Sequence, residues 1–113
     1  MKRGEVWVAN LNPPRPGEPA KIRPVLVMQA EWVTEQMSDT VLIIPLSTQR
    51  WKGLEHVRTT IPARGRLRQN CVPLIEKLRA LGRDKFGDGP LTTLTADEMR
   101  AAEQGLATIL DIN

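Results

Sequence analysis

Apolar residues in this chain come in short runs of strand length as far as residue 81, and take up helical spacing only after residue 94. That order constrains the fold more than any other feature. Parallel strands need long crossovers, usually helical. A series of strands with no helix between them therefore predicts a small, mostly antiparallel barrel closed by one terminal helix. The strands read from the sequence are Glu5 to Leu11, Pro24 to Met28, Val41 to Leu46, a more polar and exposed 55–61, and Cys71 to Leu81. In the last of these Val72, Leu74, Leu78 and Ala80 share one parity, which predicts the inward face. Pro13, Pro14, Pro16, Gly17 and Pro19 exclude both helix and ladder from residues 12–21, leaving a long stiff loop. Turns are expected at Pro62 to Gly65 and Gly87 to Pro90.

The helix is the most strongly signalled element. Thr95 with Glu98 three residues on is a capping box, and Leu94 with Met99 fits a hydrophobic staple. Met99, Ala102, Leu106 and Ile109 or Leu110 then form one apolar stripe. Gly105 lies inside it, where glycine weakens a helix by about 1 kcal/mol relative to alanine. At 113 residues the chain fits a single domain over 1–113.

One cysteine, Cys71, rules out an internal disulfide framework and a cysteine-only zinc site, and one histidine, His56, rules out a His pair within one chain. Cys71 reads as a small buried hydrophobe and His56 as an exposed strand residue. The longest apolar run, Val41 to Leu46, is interrupted only by Pro45 and is far short of the roughly 20 residues that span a bilayer. The apolar stretch after the basic start is broken at Asn10 and Asn12, so a soluble cytoplasmic protein is expected.

Charge is unevenly distributed. Residues 50–68 carry six cations against Glu55, a net of +5, whereas 84–113 carry six acids against Lys85 and Arg100, a net of −4. The cations are mostly arginine, whose planar fork matches phosphate bidentately. A basic middle facing a polyanion, with an acidic helix facing elsewhere, is the footprint of a nucleic-acid binder. Trp51 between Arg50 and Lys52 adds a stacking surface worth about 1–3 kcal/mol per base. Trp7, mid-strand, reads as core or dimer interface, and Trp32 falls in a connector.

Four segments, in order, resemble the MazF/PemK-type toxins. Arg3-Gly4-Glu5-Val6-Trp7-Val8 leads through the proline loop to Lys21-Ile22-Arg23-Pro24-Val25-Leu26-Val27. Ile44-Pro45-Leu46-Ser47-Thr48-Gln49 resembles the family's P-x-T-x-Q strand end, with serine where threonine is usual. Val72 to Leu81 is similar to its acidic strand, and the helix ends in Leu110-Asp111-Ile112. The resemblance implies a mainly β fold with a C-terminal helix, a small SH3-like barrel of the CcdB/PemK/MazF-like fold, acting as a homodimer. It implies an endoribonuclease of a toxin–antitoxin system that cuts single-stranded RNA without metal or other cofactor. An antitoxin with an acidic flexible tail is its expected partner.

On that resemblance the catalytic residues are Arg23, Ser47 and Glu76, with Leu74 where some members place an arginine. Glu18, Lys21, Thr48, Gln49, Arg50, Trp51 and Lys52 are the expected RNA-binding residues. RNA carries its own nucleophile, the 2′-OH, so the protein must stabilise the phosphorane charge and assist proton transfer. Arg23 suits the first task as a fixed cationic fork, and Ser47 can donate to a non-bridging oxygen. Glu76 either acts as a base or orients Arg23. Two other readings share parts of the pattern. One is the gyrase-poisoning branch of the same fold, which carries a tryptophan near its end, whereas nothing aromatic follows Phe86 here. The other is an inactive RNA-binding module.

Overall fold

The computed structural model describes residues 1–13, 16–17, 21–37, 39–49 and 52–112. The strands are β1 (Glu5–Asn10), β2 (Ile22–Val27), β3 (Thr40–Ser47), β4 (Val72–Pro73), β5 (Arg79–Gly82) and β6 (Thr92–Thr93). Helix α1 spans Glu31–Met37 and helix α2 Ala96–Leu110. Every strand pairing is antiparallel, in the order β4-β3-β2-β1-β6, with β5 also on β3. The result is the mainly β half-barrel with a C-terminal helix.

β3 holds the sheet together because its outer edge is shared. Thr40 to Ile43 pair with β5, Leu46 and Ser47 pair with β4, and on the other edge Ile43 to Pro45 pair with β2. Both faces of β2 and β3 are covered. Leu26, Ile44 and Leu46 pack on one side with Ala102, Met99 and Leu106 of α2, while Val25, Val27, Val41 and Ile43 pack on the other with Leu81 and Trp7. This explains why both strands read as continuous apolar runs and not as alternating ones. Pro45 fits inside β3 because it lies where the outer partner changes. Its carbonyl accepts from Leu74 N–H at 2.9 Å, so its missing N–H faces the gap between β4 and β5.

The expected strand over Cys71 to Leu81 is divided. A 3₁₀ turn at Ile75–Lys77 separates β4 from β5 and resets the side-chain parity. Leu74, Ile75 and Leu81 are buried in consequence, while Ala80 is exposed. Residues 55–61 are likewise not a strand. Glu55–Val57 form a 3₁₀ turn bearing exposed His56, and only Ile61 makes a bridge, to Cys71. Helix α1 stands where a connector was read. The buried amide of Gln29 anchors it by donating to Thr34 Oγ1 at 3.0 Å while accepting from Leu42 N–H at 3.3 Å.

Helix α2 begins as the sequence indicates, with Thr95 Oγ1 accepting from Glu98 N–H and Glu98 Oε1 accepting from Thr95 N–H. Gly105 has a packing role beyond its weak helix propensity. A Cβ there would stand 2.7 Å from Cδ1 of Ile75, which is 1% exposed, and 3.4 Å from the Val57 carbonyl. The absent side chain lets α2 settle onto both 3₁₀ turns. Gly105→Ala is therefore expected to destabilise the protein by about 1–3 kcal/mol despite alanine's better helix propensity. Thermal denaturation checks this, and an unchanged or raised Tm contradicts it.

Candidate active site

The cleft lies where β2 and β3 part. Their recorded pairs run from Val27↔Ile43 to Val25↔Pro45 and stop. Val8, which faces Pro24 across β1, gives its backbone groups to Gly87 and Asp88 on its far side. Pro24 must then turn its own nitrogen toward β3, and proline has no N–H with which to make the next rung. Continuing the register by two residues sets Arg23 opposite Ser47, with no ladder between them. A cavity of about 600 Å³ opens at this point.

Of the residues singled out by sequence, Lys21, Arg23, Ser47, Thr48 and Gln49 line this cavity together. Arg23 is half-buried, and burial lowers its guanidinium from its ordinary value, although arginine stays charged. A cation held in a partly dry wall interacts more strongly with an anion than one in water. Ser47 is only 2% exposed. Its Oγ accepts from Gln49 N–H at 3.0 Å, which fixes the turn leaving β3 and orients the hydroxyl. Thr48 and Gln49 are exposed on that turn. Glu18, Arg50 and Trp51 lie outside the described residues. Lys52 is described and exposed but does not line the cavity.

Glu76 is not brought to Arg23 or Ser47. It lies on the 3₁₀ turn that divides β4 from β5, and both its oxygens accept from Arg58, at 3.0 and 2.5 Å. The Arg58 side chain is 7% exposed and donates also to the Gly53 and Pro73 carbonyls. The pair thus ties three chain segments together behind the cleft. Burial acts to raise the Glu76 carboxyl, but the Arg58 hydrogen bonds and charge outweigh it and hold the group below its ordinary value.

The far wall comes from residues that sequence reading left unassigned. Arg66, Leu67, Arg68, Gln69 and Cys71 line it, from a hairpin between Ile61 and Cys71. Arg66 and Arg68 belong to the basic segment, but only the folded hairpin brings them to the same cavity as Arg23. Cys71 is buried, and desolvation raises its thiol above the ordinary value. Among the described lining residues there are four cations, Lys21, Arg23, Arg66 and Arg68, and no carboxylate. The acidic helix does not face wholly elsewhere. Its Glu98 binds Arg64 with both oxygens, at 2.7 and 2.5 Å, and its Glu103 binds Arg3 at 2.7 Å.

Residues 2–110 match the family model of the PemK-like, MazF-like toxins of type II toxin–antitoxin systems. The chain belongs to that family. Its fold is similar to that of a MazF from Deinococcus radiodurans, with a TM-score of 0.80 at 21% identity over 99% of this chain and 97% of that one. The Mycobacterium tuberculosis toxin MazF-mt6 matches with a TM-score of 0.78 at 21% identity, over 96% and 98% of the two chains. A mycobacterial endoribonuclease in complex with its cognate antitoxin matches at 0.74 and 19% identity, over 100% and 95%. Among the described residues of this MazF-like chain, no helix is long and apolar enough to cross a membrane.

Because the folded-state pKa of Glu76 is depressed, its pair with Arg58 stabilises the fold fully above the ordinary glutamate value of 4.5 and fades as pH falls through the lower folded value. Glu76→Gln is expected to cost about 2–3 kcal/mol at pH 7, between the values for surface and fully buried pairs. The difference from wild type should shrink on acidification below pH 4.5. Chemical denaturation across pH checks this, and a pH-independent difference contradicts it.

Proposed function

We propose that this toxin is a metal-independent, sequence-specific endoribonuclease of single-stranded RNA, acting as a homodimer. The observation that carries the reading is the cleft itself, where a half-buried arginine and a nearly buried hydroxyl line one cavity at the point where the β2–β3 pairing ends. Cations line that cavity, and among the described lining residues no carboxylate repels a phosphodiester. The RNA 2′-hydroxyl gives its proton to solvent water as its oxygen attacks the adjacent phosphorus, the bond to the 5′-oxygen breaks, and that oxygen takes a proton from water as it leaves. Arg23 neutralises the charge that builds on the non-bridging oxygens, and Ser47 donates a hydrogen bond to one of them. Thr48 and Gln49 on the turn after β3 and Lys21 at the loop end hold the strand in place. Glu18, Arg50, Trp51 and Lys52 are proposed to extend the RNA path beyond the cleft. Glu76 supports the 3₁₀ turn behind it through Arg58.

The family is that of toxins paired with antitoxins, and a structural neighbour is in complex with its cognate antitoxin. A partner antitoxin whose acidic tail enters the same cationic cleft, in competition with RNA, follows from the charge of the lining.

Arg23→Ala is expected to lower the rate of RNA cleavage by about 10²–10³ with fold and oligomeric state retained. Ser47→Ala should cripple cleavage, and Ser47→Thr should restore it. Full activity in Ser47→Ala with loss in Thr48→Ala would move the hydroxyl role to the neighbouring residue. Products should end in a 2′,3′-cyclic phosphate, with a 5′-hydroxyl on the downstream fragment, and form equally with chelator present. Mass spectrometry of the fragments checks this, and cleavage of a substrate carrying 2′-deoxyribose at the cut contradicts it.

A further inference from the structure

The hairpin between Ile61 and Cys71 is held too firmly to be a passive rim. Ile61 and Cys71 exchange backbone hydrogen bonds at 2.7 and 2.9 Å, and Arg64 and Leu67 exchange two more at 2.9 Å. Gly65 takes a left-handed φ of 56°, and a Cβ there would meet the Leu91 carbonyl at 3.1 Å, so the turn lies directly on the body of the protein. Arg66 N–H donates to that same carbonyl at 3.0 Å. The Arg64 guanidinium ties the tip to α2 through Glu98 and to Thr92 Oγ1 and the Thr93 carbonyl.

With Arg64 spent on anchoring, the two remaining arginines are presented differently. Leu67 between them is 2% exposed and points into the core, which turns Arg66 and Arg68 outward at the cleft. Arg68 makes no ion pair among the described residues. Among the described residues the ion-pair partner of Arg66 is Asp88, at 3.9 Å with both side chains largely in solvent, an arrangement that contributes little. Two forks on an anchored arm thus line the same cavity as Arg23.

We infer that Arg66 and Arg68 form a clamp that binds phosphates of the RNA strand flanking the scissile phosphate, fixing its path across the cleft. This inference rests on the RNA-cleaving reading of the same cleft. The clamp acts on binding, and its signature is the number of phosphates neutralised. Each phosphate contact on a single strand contributes about 0.7 to the slope of log affinity against log salt.

The experiment measures binding of a single-stranded RNA carrying 2′-deoxyribose at the cut site, from low to high salt, by the intact protein and its variants. Arg66→Gln with Arg68→Gln is expected to weaken binding at least about tenfold at low salt and to flatten the slope by about 1.4. Replacing both by lysine should restore the slope, which a purely structural role would not require. Arg100→Gln, an exposed cation on α2 outside the cleft, should leave the slope unchanged and controls for net charge. The clamp is overturned if the double glutamine variant is folded and keeps the wild-type slope, or if Arg100→Gln flattens it as much per charge. If the wild-type protein binds no single-stranded RNA, the RNA-cleaving reading falls and the clamp with it. Wild-type binding with an unaltered slope in the double variant removes the clamp alone.

Discussion

A missing backbone donor shapes the rest of this molecule. Pro24 sits in β2 where a further hydrogen bond to β3 would keep the sheet closed, and it has no N–H to give. The pairing of the two strands stops at Val25 and Pro45, and Arg23 and Ser47, two residues further along each strand, line one cavity. The cleft is thus produced by the strand pairing itself. Its walls inherit the rigidity of two strands buried on both faces, and a site placed on such elements holds its geometry better than one on free loops. Pro45, which pairs with Val25, sits where the outer edge passes from β5 to β4, so unlike Pro24 it forfeits no rung.

Arginine serves two purposes here, and carboxylate pairing separates them. Arg58 and Arg64 are each forked onto a carboxylate, and they fasten 3₁₀ turns and the hairpin to the body of the protein. Arg23, Arg66 and Arg68 line the cleft, and among the described lining residues there is no carboxylate. Net charge along the sequence does not distinguish these roles, because Glu76 and Glu98 lie 18 and 34 residues from their partners. The acid that resembled a catalytic group therefore holds the fold, while two arginines counted only as bulk charge form the far wall.

What was legible in the sequence was what local chemistry determines. The capping box at Thr95 and Glu98, the apolar runs of β2 and β3 and the helix at the end of the chain all follow from short-range pattern. Arg23, Ser47, Thr48 and Gln49 came instead from the family resemblance, and the structure places the four on one cleft. What was misread depends on contacts distant in sequence. The parity of 71–81 failed because packing of Ile75 against Gly105 of α2 favours a 3₁₀ turn over a continuous strand. Helix α1 escaped notice because its anchor is a buried amide at Gln29, a residue whose side chain reads as surface until the loop folds over it.

The central claim is that the gap between β2 and β3 holds the reacting phosphate. A crystal structure of the protein with a single-stranded RNA carrying 2′-deoxyribose at its cut site tests this most directly. The account predicts the scissile phosphate within hydrogen-bonding distance of both the Arg23 guanidinium and the Ser47 hydroxyl. RNA seated on another face, with this cleft empty, would contradict it.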